Sequence, residues 1–337
     1  ESAHWFSIVI SVDEALNEEL VLSMESPGLD RIDFYFVHPD KVVVHKVAGD
    51  TIAVSELDQP YRFPVVPYEI ATANQQTRLF FRAYSQSGVG IPLTLTTMSD
   101  LAANQQNQLA FFGAFFAFFL MCFCACSVFF FFMRDKQFFG YTLFFGGCIT
   151  FFLAQSGMGR LWLWGSYGEF NNRAAYISAA VVVASFCLLG QSLSLTSRFK
   201  GSVEIVLRFL TYAMLPVGLY FLIIPFDLIS SENVSLIIYL SVLVVFAVFI
   251  MAGVTALQGS RVAMFLFFTS AMTLLSLSLF SLYKFNFIER SAMAPIISQT
   301  LIVIAAVMLL LSLVEFIRAM NEEFAQARME TKAKGDF

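Results

Sequence analysis

Charge is the scarcest property of this sequence. Asp, Glu, Lys and Arg make up 13% of its residues, whereas hydrophobic residues make up 58%. A soluble globular domain carries about twice that share of charged residues, so the composition indicates an integral membrane protein. The net charge is −5 and the chain has no basic block, so nucleic acid is not an expected partner.

Cysteine and catalytic motifs are missing from the N-terminal part of the chain. All five cysteines lie beyond residue 108, so neither a disulfide framework nor a cysteine metal site is predicted before that point. The three histidines lie too far apart in sequence for metal-ligand spacing. There is no Ser/His/Asp pattern, P-loop or glycine fingerprint. We therefore predict no metal site and no catalytic residue within residues 1–337.

Short β-rich runs fill residues 1–100. In Arg31–Val37, apolar residues at Ile32, Phe34 and Phe36 alternate with polar ones, which is typical of a half-buried strand. Turn signals separate the runs, so the pattern predicts an all-β sandwich or jelly roll. The predicted strands are residues 4–12, 19–24, 31–37, 42–47, 61–63, 77–84 and 91–97.

Long apolar segments follow a polar join at residues 101–108. Each approaches the length of about 20 residues that a membrane-spanning helix needs. No charged residue lies at the centre of any segment, which argues against a proton or ion pump. The seven predicted spans, which make up a transmembrane domain over residues 109–316, are about 109–133, 137–155, 174–196, 205–226, 234–257, 262–283 and 294–316.

Basic residues predict the orientation of the chain. Short turns after the first, third and fifth spans carry Lys and Arg, at Arg134–Lys136, Arg198–Lys200 and Arg261, and further basic residues follow the seventh span. The positive-inside rule therefore places the C-terminus in the cytoplasm and residues 1–100 outside.

The last apolar span continues into a polar helix without a Pro or Gly break. Its apolar residues keep the alternating spacing of four and three that is typical of a coiled coil. We predict that residues 317–337 form a cytoplasmic signalling helix, which dimerises and leads into an output domain. The residues predicted to transmit the signal are Leu313, Ile317, Met320, Phe324 and Ala327.

Several short motifs occur in order along the chain. They are Ser26–Phe36, Tyr61–Phe63, Leu79–Arg82 and Ile91–Leu95 in the N-terminal part, and Arg134–Lys136, Gly140–Tyr141, Leu161–Trp162, Asn171–Arg173 and Leu309–Leu313 in the membrane part. With these motifs, a β domain and seven spans, the sequence resembles bacterial seven-transmembrane receptors with diverse intracellular signalling modules. It is similar to those that carry the second type of extracellular domain.

This resemblance implies a receptor of the bacterial inner membrane with a periplasmic domain similar to carbohydrate-binding jelly rolls. It therefore implies a carbohydrate or another small molecule as the ligand. Asp33 and Tyr35 on one predicted strand, and Arg82 and Tyr84 on another, are the candidate contacts. Aromatic rings beside hydrogen-bonding groups suit the binding of sugar rings.

The tail at Lys332–Phe337 resembles the residues just before the phospho-acceptor box of sensor histidine kinases. The resemblance implies a two-component kinase whose phospho-acceptor His and ATP-binding domain follow Phe337. ATP and Mg would then be the cofactors of that kinase domain, and a response regulator its partner. A diguanylate cyclase output, which other members of the family carry, stays an alternative.

Two further functions stay open. A transporter or channel with an outer binding domain predicts mid-membrane charges, broken helices or inverted repeats, and only Pro216 and Pro225 hint at a broken helix. Alternatively, the seven-helix bundle itself senses a lipid or another apolar ligand, and the β domain acts as a lid or docking surface.

Overall fold

The structure is a computed structural model of the chain. It describes residues 3–11, 19–38, 42–68, 76–85, 92–165, 167, 170–191, 200–224, 228–229, 231–284 and 293–335. Some predicted features lie outside these residues, namely the strand ends at 12 and 91, the turn at 198–199, Pro225 and the tail at 336–337. The chain forms two compact units: Glu1–Arg134, Tyr141–Val182 and Leu215–Ile238 make the first, and Asp135–Gly140, Val183–Met214 and Tyr239–Phe337 make the second.

Two antiparallel sheets build the N-terminal part of the first unit. The described strands are β1 His4–Ser11, β2 Leu20–Met24, β3 Arg31–Val37, β4 Val43–Ala48, β5 Val65–Tyr68, β6 Gln76–Tyr84 and β7 Leu93–Thr97. One sheet has the order β1-β6-β3-β4, and the other has the order β5-β2-β7. A β-sheet domain at the N-terminus is thereby confirmed, while its classification as a jelly roll stays a prediction.

Alternation along the strands decides which side chains enter the core of this domain. Ile32, Phe34 and Phe36 of β3 are buried together with Leu22 and Met24 of β2, which belongs to the other sheet. The side chains between them project from the opposite face of β3 because successive residues of a strand point to opposite sides. The alternation predicted for residues 31–37 is therefore confirmed, and the two sheets share one hydrophobic core.

The strand predicted at residues 61–63 is wrong. The structure places these residues in a bend, and β5 begins at Val65, directly after Pro64. Arg62 and Phe63 are buried, and the distant partners of Arg62 described below override the local β propensity of the segment.

Seven helices among the described residues are long and apolar enough to cross a membrane. Large apolar side chains stay exposed on them, for example Phe132 at 85% and Ile223 at 71%. Lipid covers such side chains in a membrane protein, whereas water would not favour them. These seven helices are α1 Met98–Met133, α2 Lys136–Gln155, α4 Phe170–Gly190, α5 Lys200–Ile223, α6 Ser231–Ala256, α7 Arg261–Lys284 and α8 Met293–Gly335. The short helix α3, Met158–Trp162, lies between α2 and α4 in the chain and is not one of the seven.

The segment that the sequence analysis treated as a polar join is part of α1. This helix begins at Met98, directly after β7, and Thr97 caps it by accepting a hydrogen bond from the Asp100 backbone N–H at 3.2 Å. A Thr cap with an acidic residue in the first turn satisfies the free N–H groups and the helix dipole. With 36 residues, α1 is about 54 Å long and exceeds the hydrocarbon core of a bilayer.

In the second unit, α7 and α8 form a closely packed pair. The hydroxyl oxygens of Ser276 and Ser298 lie 2.8 Å apart, and Ser276 also donates to the Ser298 carbonyl at 2.9 Å. Farther along, Thr269 donates to the Ala305 carbonyl at 3.4 Å. Hydrogen bonds between small polar residues hold membrane helices at close range. Beyond this paired stretch, α8 runs without interruption to Gly335.

Candidate functional site

The four predicted ligand contacts lie together on the outer face of the four-stranded sheet, which is the face turned away from the core. Asp33 of β3 lies opposite Arg82 of β6 in the strand register, and Tyr84 lies opposite Arg31. Tyr35 follows Asp33 on the same side of β3 because side chains alternate along a strand. The structure therefore brings all four residues onto one surface.

Two aromatic residues that the sequence analysis did not select complete this surface. Trp5 of β1 stacks with Tyr35 at 5.8 Å between ring centroids, and His45 of β4 stacks with the same ring at 4.6 Å. Trp5 is 61% exposed, so its ring is accessible to a ligand. We call the surface formed by Trp5, Asp33, Tyr35, His45, Arg82 and Tyr84 the ring face.

Asp33 holds two neighbouring polar side chains, Arg31 and His45, in place. Arg31 donates to both of its oxygens, from Nη2 at 3.1 Å and from Nε at 3.3 Å, and His45 Nε2 lies 3.2 Å from Oδ1. The hydrogen bond and charge of Asp33 raise the pKa of Arg31. Because Asp33 is buried and already bonded, it orients Arg31 and His45, while the exposed Arg82 remains accessible to a ligand.

The ring face has the groups that sugar recognition needs. The exposed ring of Trp5 offers apolar surface to the C–H face of a pyranose, and Arg82 and Tyr84 offer hydrogen bonds at its edge. Across the described ranges, no cluster of three or more His, Cys, Asp or Glu side chains has the arrangement of a metal site.

A second group of functional side chains lies where the β domain meets α3 and α4, within the first unit. Asn172 of α4 donates through Nδ2 to Asp30 Oδ1 at 2.8 Å and to Asp50 Oδ1 at 3.4 Å. Asp30 precedes β3 and Asp50 follows β4, which lie at the same end of this antiparallel pair, so one membrane helix holds that end of both strands. We call the cluster of Asp30, Asp50, Arg62, Arg160 and Asn172 the junction.

Arg160 of α3 contributes a second contact to the junction. Its Nη2 donates to the Ile52 carbonyl at 2.6 Å, and nearby the Val54 N–H donates to the Gly165 carbonyl at 3.0 Å. Burial lowers the pKa of Arg160, while the charge of Asp50 opposes that shift. The guanidinium therefore carries a buried positive charge that acts on Asp50.

Arg62 contributes the third contact, between the β domain and the ends of α1 and α2. It donates to the Gln108 side-chain carbonyl and, through Nη1 at 3.4 Å, to the Ser156 carbonyl. Its guanidinium also lies 5.5 Å from the centre of the Phe112 ring, within cation–π range. Burial lowers the pKa of Arg62, and Glu25 opposes that shift.

Burial dominates the electrostatics of the two junction carboxyls. Asp30 and Asp50 are each 1% exposed. Burial first, and then the charge of Asp30, raise the pKa of Asp50 well above its ordinary value, while Arg160, Asn171 and Asn172 act in the opposite direction. The net shift is upward because desolvation penalises the ionised form more than these partners favour it.

The residues predicted to transmit the signal lie along α8. Leu313 is buried within its own chain, and Ile317 and Met320 are half-buried. The α8 backbone extends through Phe324 and Ala327, whose side chains lie outside the described part of the structure. The coiled-coil role of these positions stays a prediction.

Comparison with known families gives two matches, which together cover both parts of the chain. Residues 108–315 match the family model described as 7TM diverse intracellular signalling. The chain belongs to this receptor family. Residues 1–97 match a second model, 7TMR-DISM extracellular 2, so the β-sheet part of the receptor is its extracellular domain. A search of curated proteins gave no match.

The receptor is thus a multi-pass membrane protein with a sensory role, and the family resemblance read from its sequence motifs is confirmed. Three of those motifs contribute to the junction: Ser26–Phe36 supplies Asp30, Tyr61–Phe63 supplies Arg62 and Asn171–Arg173 supplies Asn172. The ring face draws on all four strands of one sheet of the same domain. Both sites belong to the first unit of the receptor.

Proposed function

We propose that the receptor binds a carbohydrate or a related small molecule at the ring face and relays this binding to a cytoplasmic histidine kinase. One observation carries the ligand assignment: Trp5, Tyr35 and His45 form a row of stacked rings across four strands, and Trp5 is largely exposed. The exposed ring of Trp5 at the end of this row offers apolar surface, which a pyranose can bind through its C–H face.

The charges of the sheet favour an acidic sugar. Arg78 and Arg82 of β6 and Arg31 of β3 project from the outer face, and all three are exposed. Asp33, the carboxylate among them, is buried and paired with Arg31. A carboxylated sugar could therefore accept charge-assisted hydrogen bonds from the free guanidinium groups, and neutral sugars would bind more weakly.

The junction supports the proposed relay from the extracellular domain to the membrane helices. Asn172 holds the carboxylates that flank β3 and β4, and these strands also carry Asp33, Tyr35 and His45 of the ring face. A ligand that shifts β3 against β4 would therefore act on Asn172. Since α4 has its residues 170–182 in the first unit and 183–190 in the second, it is a continuous element that can carry this change.

The output side of the proposal rests on α8 and on the family. The family is described as one of diverse intracellular signalling, so an intracellular module is the expected target of α8. We assign a histidine kinase because Lys332–Phe337 resembles the segment before a phospho-acceptor box. Ile317, Met320, Phe324 and Ala327 would then form the seam of a homodimer, since Leu313 is already buried in its own chain.

The kinase domain would use ATP and Mg and would transfer its phosphoryl group to a response regulator. The proposed setting is the bacterial inner membrane, with the β domain in the periplasm and the end of α8 in the cytoplasm. Arg134, Lys136 and Arg261 support this orientation, because the loops after the first and fifth spans carry a basic excess.

The ligand assignment is tested by binding to the receptor in lipid nanodiscs, using a panel of neutral and carboxylated oligosaccharides. Trp5→Ala should weaken binding by about tenfold or more because it removes the most exposed ring of the row. Trp162→Ala is the matched control, since Trp162 is 60% exposed but lies in α3. Equal affinities for wild type and Trp5→Ala would contradict a ligand on the ring face.

The output assignment is tested separately on the full-length receptor. A sugar that binds the ring face should change the rate of autophosphorylation from labelled ATP, and Trp5→Ala should abolish that change at the same sugar concentration. Synthesis of cyclic diguanylate from GTP, without autophosphorylation, would replace the kinase with a cyclase and leave the ligand assignment intact.

A further inference from the structure

The junction brings two buried carboxyls together at one end of the β3–β4 hairpin. Asp30 and Asp50 accept hydrogen bonds from the same Asn172 amide nitrogen, at 2.8 and 3.4 Å. Arg160 is the cation whose charge acts on Asp50, and its own hydrogen bond goes to the Ile52 carbonyl. With both carboxyls ionised, two like charges would share one amide donor in a buried site, which a low-dielectric environment strongly disfavours.

The backbone forces the two carboxyls together. The Asp50 N–H donates to the Leu29 carbonyl at 2.8 Å, and the Thr51 N–H and hydroxyl both donate to the Asp30 carbonyl, at 3.2 and 2.6 Å. Gly49 permits this approach, because a Cβ there would lie 2.3 Å from the Asp30 carbonyl oxygen. The pair therefore cannot separate to relieve its repulsion without opening the end of the β3–β4 hairpin.

We infer that Asp30 and Asp50 form a proton-binding site, in which one shared proton keeps the extracellular domain seated on α4. Asp50 Oδ2 is buried and has no hydrogen-bond partner in the described part of the chain, so an ionised charge on that oxygen would be uncompensated. A proton on the pair removes the like-charge repulsion between the two carboxyls. Asn172 continues to donate to the remaining acceptor oxygens.

The groups around the pair fix the direction of its response to pH. Arg160 of α3 faces Asp50, and Tyr176 of α4 is close enough to interact with both carboxyls. Because burial raises the pKa of Asp50 in the folded receptor, the folded state binds a proton that the unfolded chain has already released. Stability is therefore greatest below the ordinary carboxyl pKa and falls as the pH rises toward the raised value.

Infrared spectroscopy of the receptor in nanodiscs tests this directly. A protonated carboxyl has a carbonyl stretch separate from the amide and carboxylate bands, and wild type should show it at neutral pH. Asp50→Asn and Asp30→Asn should each remove that band, because the neutral amide takes the place of the protonated partner. Glu56→Gln, which changes an exposed carboxylate of the same domain, is the control and should keep the band.

The melting temperature provides the second readout. For wild type and Glu56→Gln, the folding equilibrium should weaken by up to about tenfold per pH unit between the ordinary and the raised pKa. Asp50→Asn should lose this dependence and melt above wild type at alkaline pH. A wild-type receptor without the protonated band, or one whose melting responds to chelation of divalent cations but not to these substitutions, would overturn the inference. Neither readout uses a sugar or an output module, so their results do not depend on whether the proposed function is correct.

Discussion

Gly49 shows how a single residue sets the geometry of the junction. Its φ angle is +146°, and a Cβ at this position would lie 2.3 Å from the Asp30 carbonyl oxygen and 2.7 Å from the Arg31 Cα. Both atoms belong to the backbone, so no side-chain rotation could relieve the contact. The absence of a Cβ therefore allows the chain after β4 to reach the start of β3 and place Asp50 beside Asp30.

Gly49→Ala is accordingly expected to destabilise the β domain by about 1–3 kcal/mol from backbone strain, with the steric contact adding to this. The measurement is the melting temperature of the receptor in nanodiscs. Gly113→Ala is the matched control, because nothing lies within 4 Å of its Cβ position and it lies within helix α1, where Ala is favoured. If both variants melted at the wild-type temperature, the close approach at Gly49 would not matter for stability.

Individual residues of the junction were the part least accessible from the sequence. Arg62 falls in a segment with β propensity, but its partners Gln108 and Ser156 are 46 and 94 residues away. Asn172 and Asp30 are 142 residues apart. A local pattern carries no information about such pairs. The one available signal was the presence of polar Asn and Arg residues beside otherwise apolar spans.

At the level of elements, hydrophobic periodicity predicted most strands and all seven spans, because burial on one face is a local property of the chain. The order of the strands was not predictable in this way. Trp5 joins the ring face because β1 pairs with β6, and β6 pairs with β3, which strand alternation alone does not reveal. The alternation did predict that Asp33 and Tyr35 share one face of their strand, as do Arg82 and Tyr84, and the structure brings both pairs onto one surface.

Helix α8 leads to a prediction about the rotational phase of the proposed dimer seam. Its backbone is helical from Met293 to Gly335 without a break, so a change at one end can rotate or shift the other. One residue inserted after Glu322 rotates the following helix by about 100°, which would move Phe324 and Ala327 off the proposed dimer seam. We expect such an insertion to change autophosphorylation of the full-length receptor severalfold.

A seven-residue insertion at the same place is the matched control, because seven residues restore the heptad phase while lengthening the helix more. It should leave regulation close to wild type. If the two insertions altered autophosphorylation equally, helix length rather than seam phase would control the output, and the coiled-coil assignment would be wrong.

For the whole molecule, the junction is the proposed connection between ligand binding at the ring face and output through the membrane helices. The ring face lies on the outer side of a sheet whose other side is the core, so its rings do not depend on Asn172 for their stacking. Asn172, in contrast, bonds to Asp30 and Asp50 from a membrane helix. Loss of Asn172 should therefore uncouple the two functions without removing either.

Asn172→Ala is expected to keep sugar binding within about twofold of wild type, because surface contacts distant from a substitution are usually unaffected. It should nevertheless lose most of the sugar-dependent change in autophosphorylation. Arg173→Ala is the control at the neighbouring position, since Arg173 donates instead to the Leu222 carbonyl of α5 at 3.2 Å. Full-length receptor in nanodiscs allows quenching of Trp5 fluorescence and phosphorylation to be followed in the same sample. If Asn172→Ala lost binding and output together, the junction would be supporting the fold of the ring face. If it kept the sugar-dependent change in autophosphorylation, the signal would reach the membrane by another contact, such as that of Arg62 with Gln108.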